Sequence, residues 1–160
     1  MKESHLTELQ QLTDSIVRGE RVVLFAPGLW SVILVVFLLL GSTVILLGSL
    51  ISVCCAELEA PSKAAYQLMG FVALFLFVIL PSLLIFRGIK AGRSIMLAYS
   101  AVLVGVSICS VLLLKAESHL IPFFLSLVTA TVSFFLLKTP SYILCSEFYY
   151  LLKTKRKEKS

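Results

Sequence analysis

Residues 22–56 read VVLFAPGLWSVILVVFLLLGSTVILLGSLISVCCA, 35 positions without one charged side chain. A helix needs about 20 apolar residues to cross about 30 Å of hydrocarbon. The stretch exceeds that, and Pro27-Gly28 divides it. Proline suits the first turn of a helix, where its missing N–H costs nothing. A first span is therefore expected over 29–53, with Trp30 at headgroup depth, where an amphipathic ring is favoured. Three more charge-free runs follow and predict spans over 64–86, 94–114 and 120–137. The connections are 57–63, which contains Pro61, then 87–93 and 115–119. Pro81, near the far end of the second span, is expected to kink it or loosen its last turn.

The composition agrees with this reading. The chain is 59% hydrophobic and 14% charged over 160 residues, against about 45–50% and about 25% in soluble domains. The excess lies in the four runs. That excludes a soluble globular enzyme, a disordered chain and a nucleic-acid-binding domain, and leaves no room for a second domain. The fold class expected is all-α, an integral membrane four-helix bundle over 22–138 with an amphipathic helix at each end. In the segment 1–21, Leu6, Leu9, Leu12 and Ile16 form a helical stripe among charged residues. A short helix lying on the membrane or on a partner is one reading, and a solvated leader is the other. In the segment 139–160, Thr139-Pro140-Ser141 has helix-start chemistry. Tyr142, Phe148, Tyr149 and Tyr150 then suit an interfacial helix, followed by a basic tail. The first run begins late and is too long for a signal peptide, so the first span is expected to stay in the mature protein.

Charge placement sets the topology. Of 14 Lys and Arg, twelve lie in the N-terminal segment, the 87–93 loop and the segment from Lys138 onward, while Lys63 and Lys115 stand alone in the other two loops. The positive-inside rule then puts both termini and the 87–93 loop in the cytoplasm. The outer loops are too short to form an ectodomain. Of four cysteines, only the neighbours Cys54 and Cys55 would face an oxidising compartment. A disulfide between sequence neighbours is strained, so small apolar filler is the expected role of these residues.

Lipid gives little hydrophobic drive to helix association, so small residues are expected at packed faces. Gly41 and Gly48 lie seven apart, beside Ser42 and Ser49, and Ala101, Gly105 and Cys109 recur every four residues. Ser126 with Ala130, and Thr129 with Ser133, make similar faces. Contacts within the bundle are one reading and a dimer seam is the other.

Chemistry is scarce. The span interiors hold no Asp, Glu, Lys, Arg or His, the groups on which proton-coupled carriers and many ion paths depend. The small multidrug exporters are four-span proteins too, but rely on an acid in the first span. A quinone-linked disulfide oxidase needs spaced cysteine pairs on the outer side. His119 beside Glu117, with His5 far away in the leader, does not supply the three or four ligands of a metal site. The serines and threonines have no base to activate them. No enzyme activity, cofactor, metal or nucleic-acid partner is expected. The polar motif with most character is Arg87-Gly88-Ile89-Lys90-Ala91-Gly92-Arg93. Arg87, Lys90 and Arg93 would share one side of a helical continuation. With Lys153, Lys155, Arg156 and Lys157 of the tail, they are candidates for contact with anionic headgroups or an acidic partner. Snorkelling anchors are the plainer reading.

The stretch from Phe86 through that loop to Tyr99 resembles the basic, glycine-containing loop leading into span 3 in a class of small bacterial inner-membrane proteins, of which the YbjO family is one example. Leu137-Lys138-Thr139-Pro140-Ser141 and Phe148-Tyr149-Tyr150 resemble the same class's proline-serine break and aromatic tail. The resemblance implies a bacterial inner membrane and carries over no functional residue. The function expected is that of a non-enzymatic accessory, scaffold or regulatory protein, acting on the bilayer and on a membrane partner or further copies of itself. An oligomeric transporter or channel-like component for a small or lipophilic solute is the alternative. Immunity against a membrane-active toxin is a third reading.

Overall fold

The computed structural model describes residues 2–20, 25–113 and 120–159. Every regular element among them is an α-helix: α1 (Lys2–Val17), α2 (Leu29–Cys54), α3 (Ala60–Phe86), α4 (Ala91–Leu113), α5 (Leu120–Leu136) and α6 (Pro140–Lys159). The turn 115–119, Arg21 and the side chain of His5 lie outside the described residues. The charge-free runs and the helices coincide closely. Pro27 stands outside α2, not in its first turn, and Gly28 caps the helix at φ 78°. Its Cα faces the Ser141 carbonyl so closely that any Cβ would collide with it. The helix α3 starts four residues before the expected 64, because Pro61 fits its first turn. It continues unbroken past Pro81 to Phe86, with the Ser82 hydroxyl donating to the Val78 carbonyl at 2.8 Å.

Three helices, α2, α3 and α4, are long and apolar enough to cross a membrane. The 17 residues of α5 rise about 26 Å, just short of the hydrocarbon thickness. With α6 they pass the same test as a pair bent by 56°. The outside is apolar. Phe37, Met69, Leu112, Phe124 and Phe135 are among the many large side chains left exposed, a surface suited to lipid rather than water.

The helices α2 to α5 pack as a ring in which α2 and α4 each touch both α3 and α5. Neighbours in the ring run in opposite directions, as Val32 to Phe37 against Ile79 to Phe86 show for α2 and α3, and Ser100 with Ala130 and Ser107 with Ser126 show for α4 and α5. The buried positions show a regular spacing. Apart from Thr43 and Gly92, they are Val32, Val35, Leu39, Ser42, Leu46 and Ser49 in α2, then Met96, Ser100, Leu103, Ser107 and Ser110 in α4, and Phe123, Ser126, Ala130, Ser133 and Leu137 from α5 onward. Steps of three and four alternate throughout, the 3.5-residue repeat of helices that wind on one another in the left-handed sense.

Each of these three helices contributes serines seven residues apart to this seam, Ser42 and Ser49, Ser100 and Ser107, Ser126 and Ser133. Three of them meet. The hydroxyls of Ser42 and Ser126 lie 3.0 Å apart, and each reaches the other's carbonyl, at 3.0 and 3.1 Å. Ser107 Oγ is 3.2 Å from Ser126 Oγ. One proton per hydroxyl satisfies the junction if Ser42 and Ser126 donate to each other's carbonyls and Ser107 donates to Ser126 Oγ. Nearby, Ser100 donates to the Ala130 carbonyl at 3.2 Å and Thr43 bonds the Tyr99 hydroxyl at 2.8 Å.

Of the small residues expected at packed faces, those of α5 pack within the chain and the glycines of α2 and the small-residue stripe of α4 do not. A Cβ built on Gly41, Gly48 or Gly105 meets nothing within 4 Å. Ala101, Gly105 and Cys109 face outward. In α2 the contact lies one position on, at Ser42 and Ser49, and in α5 it lies at Ser126, Ala130 and Ser133, as expected. A hydroxyl needs a partner in an apolar medium and an exposed glycine does not, so the polar row fixes the rotation of each helix.

The junction makes Ser126 the sensitive position. Interhelical bonds in a membrane average about 0.6 kcal/mol each, so Ser126→Ala should cost about 1–2 kcal/mol in reversible unfolding from mixed micelles. Ser126→Leu, which forces α2 and α4 off α5, should prevent a cooperative transition in the same experiment.

Candidate functional site

One end of the helix ring carries a second layer. It begins at the turn between α3 and α4. The N–H of Gly88 bonds the Ile85 carbonyl at 2.8 Å and that of Ile89 the Leu84 carbonyl at 2.9 Å, the paired bonds that close a helix on a left-handed residue. Gly88 has φ 66°. Its lack of a side chain also seats α6, since a Cβ there would lie 2.5 Å from the Tyr149 carbonyl oxygen. Gly92 does the same against α3, where a Cβ would lie 2.5 Å from the Pro81 carbonyl oxygen. The glycines of the loop are thus seating residues for α6 and α3.

Onto this seat α6 presses Tyr142, Cys145 and Phe148, all buried. Tyr149 stacks edge-on against Phe86 with ring centroids 5.3 Å apart. The outer helix α1 packs on α6 in turn. Lys155 holds it, with Nζ 2.5 Å from Asp14 Oδ1 and 3.1 Å from the Gln10 carbonyl. Lys155 is therefore a tie between the two terminal helices, not one of the free cations of the tail.

The three basic residues of the turn do not share a helix face, because α3 ends at Phe86 and α4 begins at Ala91. Each goes elsewhere. Lys90 lies 3.8 Å from Glu147 and 4.0 Å from the centre of the Tyr150 ring. Arg93 turns inward, and its Nε and the Tyr142 hydroxyl are both buried without a hydrogen-bond partner among the described residues. Burial pushes the Tyr142 phenol up, with Cys145 adding to the shift and Arg93 opposing it. Arg87 faces α6 and joins Lys153, Arg156 and Lys157 around a pocket of about 380 Å³, whose apolar wall is Phe86, Tyr149 and Leu152.

The sequence pattern singles out all four of these cations as contact candidates, but not the apolar wall. The signal for the wall was present, since positions 149, 152, 153, 156 and 157 repeat at helical spacing and mark one face of α6. The approach of Arg87 to that face is a tertiary contact with no local signature.

The cysteines divide by location. Cys145 is buried in the seat, and burial pushes its thiol up to about 11. Cys54 and Cys109 are exposed on the outer surface, and Cys55 is half-buried. Cys54 and Cys109 line a shallow groove of about 460 Å³ with Leu50, Val102, Gly105, Val106 and Ser110. Among the described residues no group of His, Cys, Asp or Glu is placed to hold a metal.

No family model matches the chain, and neither do the curated proteins nor the solved structures.

Two consequences of the seat can be measured. Gly88→Ala meets both the left-handed φ, at about 1–2 kcal/mol, and the Tyr149 carbonyl. It should loosen residues 140–159, read as faster amide exchange there than in α2. Cys145 is fully buried and burial holds its thiol above the ordinary range, so at pH 7 a maleimide should leave it unmodified until the protein is unfolded.

Proposed function

We propose that the chain is a multi-pass protein of a bacterial cytoplasmic membrane, with both termini on the cytoplasmic side, and that it is a non-enzymatic scaffold or accessory subunit. In this reading α5 is the fourth span of a four-helix bundle. It runs antiparallel to α2 and α4 and bonds both through Ser126, and the 56° bend then carries α6 out along the interface. The terminal helices and the 87–93 turn lie at the same end, which supports a single cytoplasmic face for the twelve clustered cations. The resemblance of the turn and tail to the YbjO-like class favours a bacterial inner membrane.

One contrast carries the functional reading. The inside of the ring uses its hydroxyls on itself, in the serine junction. The Ala101, Gly105 and Cys109 stripe, the kind of surface that lets a second helix approach closely, is turned outward and left bare. A protein built in this way works by what it holds at its outer faces. The partner helix belongs to another membrane protein or to a second copy of the chain.

Cross-linking in native membranes tests this. A short bis-maleimide should join Cys109 to a neighbouring chain, and mass spectrometry of the product identifies that chain. Gly105→Phe should abolish the product while leaving the yield of folded protein unchanged. An unchanged product with Gly105→Phe rejects the stripe as the contact.

A further inference from the structure

Phe86 lines two cavities. One is the basic pocket at the α3–α6 junction. The other is a groove of about 220 Å³ between α2 and α3, walled by Val32, Ile33, Val36, Phe37, Ile79 and Leu83 with Ser82. The first is charged and the second is apolar, and they adjoin at the last residue of α3.

We propose that the two cavities form one binding site for an anionic phospholipid, with its phosphate-bearing headgroup among Arg87, Lys153, Arg156 and Lys157 and an acyl chain along the α2–α3 groove. The inference rests on the reading that α2 and α3 cross a membrane with this end in the cytoplasm.

Four observations support it. None of the four cations is engaged in an ion pair among the described residues, whereas Lys90 and Lys155 are. Two are arginines, whose planar fork matches phosphate oxygens two at a time, and the lysines add compact charge. The pocket lies where α3 ends, the depth at which a spanning helix leaves hydrocarbon and meets headgroups. The groove opens on the outer surface, where Phe37 is 70% and Leu83 is 50% exposed, so a chain enters sideways from the bilayer. A soluble phosphate compound would use the cations and leave the groove unexplained. Four positive charges converging on one ligand favour a headgroup with more than one negative charge, such as a lipid carrying two phosphates.

The test is native mass spectrometry of the full chain released from detergent micelles, titrated with a diphosphatidyl lipid or with phosphatidylcholine. The expected result is a saturable one-to-one complex with the diphosphatidyl lipid alone. The double variant R87Q/R156Q should weaken it about 30-fold, the weight of two charges at about 1 kcal/mol each near a membrane surface. K63Q, at the other end of the helices, should leave it unchanged. Filling the groove with Val36→Trp should weaken the long-chain lipid and spare a water-soluble short-chain analogue.

Equal retention of phosphatidylcholine, or a complex indifferent to R87Q/R156Q, overturns the proposal. Displacement of the lipid by inorganic pyrophosphate, with Val36→Trp having no effect, overturns it in favour of a soluble anion. The underlying membrane reading is judged separately by whether the chain stays in the pellet after an alkaline wash. The scaffold reading is judged by the Cys109 cross-link, so failure of either is distinct from failure of the lipid site.

Discussion

A hydroxyl inside an apolar helix packing has no water to bond, and burying it unpaired costs more than any contact around it returns. That constraint organises the helix ring. Three of its helices place serines on the 3.5-residue repeat, and Ser126 sits where α2 and α4 both reach α5. Turning one of these helices by one residue would break the bonds that Ser42, Ser100, Ser107 and Ser126 make across the packing, whereas Ser49 and Ser133 bond carbonyls of their own helices and would keep them. Apolar neighbours impose no such penalty, because a leucine is as comfortable against lipid as against another leucine. The hydroxyls therefore set the rotation of the helices, and the aliphatic side chains fill what remains.

At the basic end the deciding feature is backbone approach. Gly28 lies against Ser141 and Gly88 against Tyr149, two contacts eight residues apart on α6 that fix its position across the end of the helices. Residues with a side chain at either site would lift α6 and separate Arg87 from Lys153 and Arg156. The aromatic contact of Tyr149 on Phe86 and the Lys155 tie to α1 follow from that placement. An exposed ion pair of this kind contributes about 0–1 kcal/mol, too little to create the layer by itself.

The long apolar helices were legible because charge is expensive in hydrocarbon, and long runs without it are rare outside helices that can cross a membrane. The breaks were legible because charge returns there, at 57–63 and 87–93. Helix rotation is not legible from small residues in α2 and α4, where Gly41, Gly48 and Gly105 meet nothing within the chain and Ser42, Ser49 and Ser107 are buried. Size alone does not separate a packed face from a lipid-facing one. The seven-residue spacing of Ser42 and Ser49, Ser100 and Ser107, and Ser126 and Ser133 does so, because polarity marks a packed face where smallness does not. The cations of the candidate pocket were legible singly. Their grouping was not, because it depends on Gly88 bringing the end of α3 under α6, and on Lys90, Arg93 and Lys155 being drawn to other places.

The helix α3 shows how the two constraints combine. It has no serine on the shared seam, and its buried residues, Val78, Pro81, Ser82 and Ile85, all lie in its last third. Farther along, its Gly70 touches Leu47, but the outer two-thirds of the helix present apolar side chains without a buried position. The helix is therefore fixed chiefly at the basic end, by Gly92 beneath Pro81 and by the closed turn at Gly88. Whatever alters that end acts on the α3 attachment most directly, since α3 shares none of the hydroxyl bonds that join α2, α4 and α5. The chain thus pairs a locked unit of three helices with a fourth held at its basic end, where most of its cations also lie.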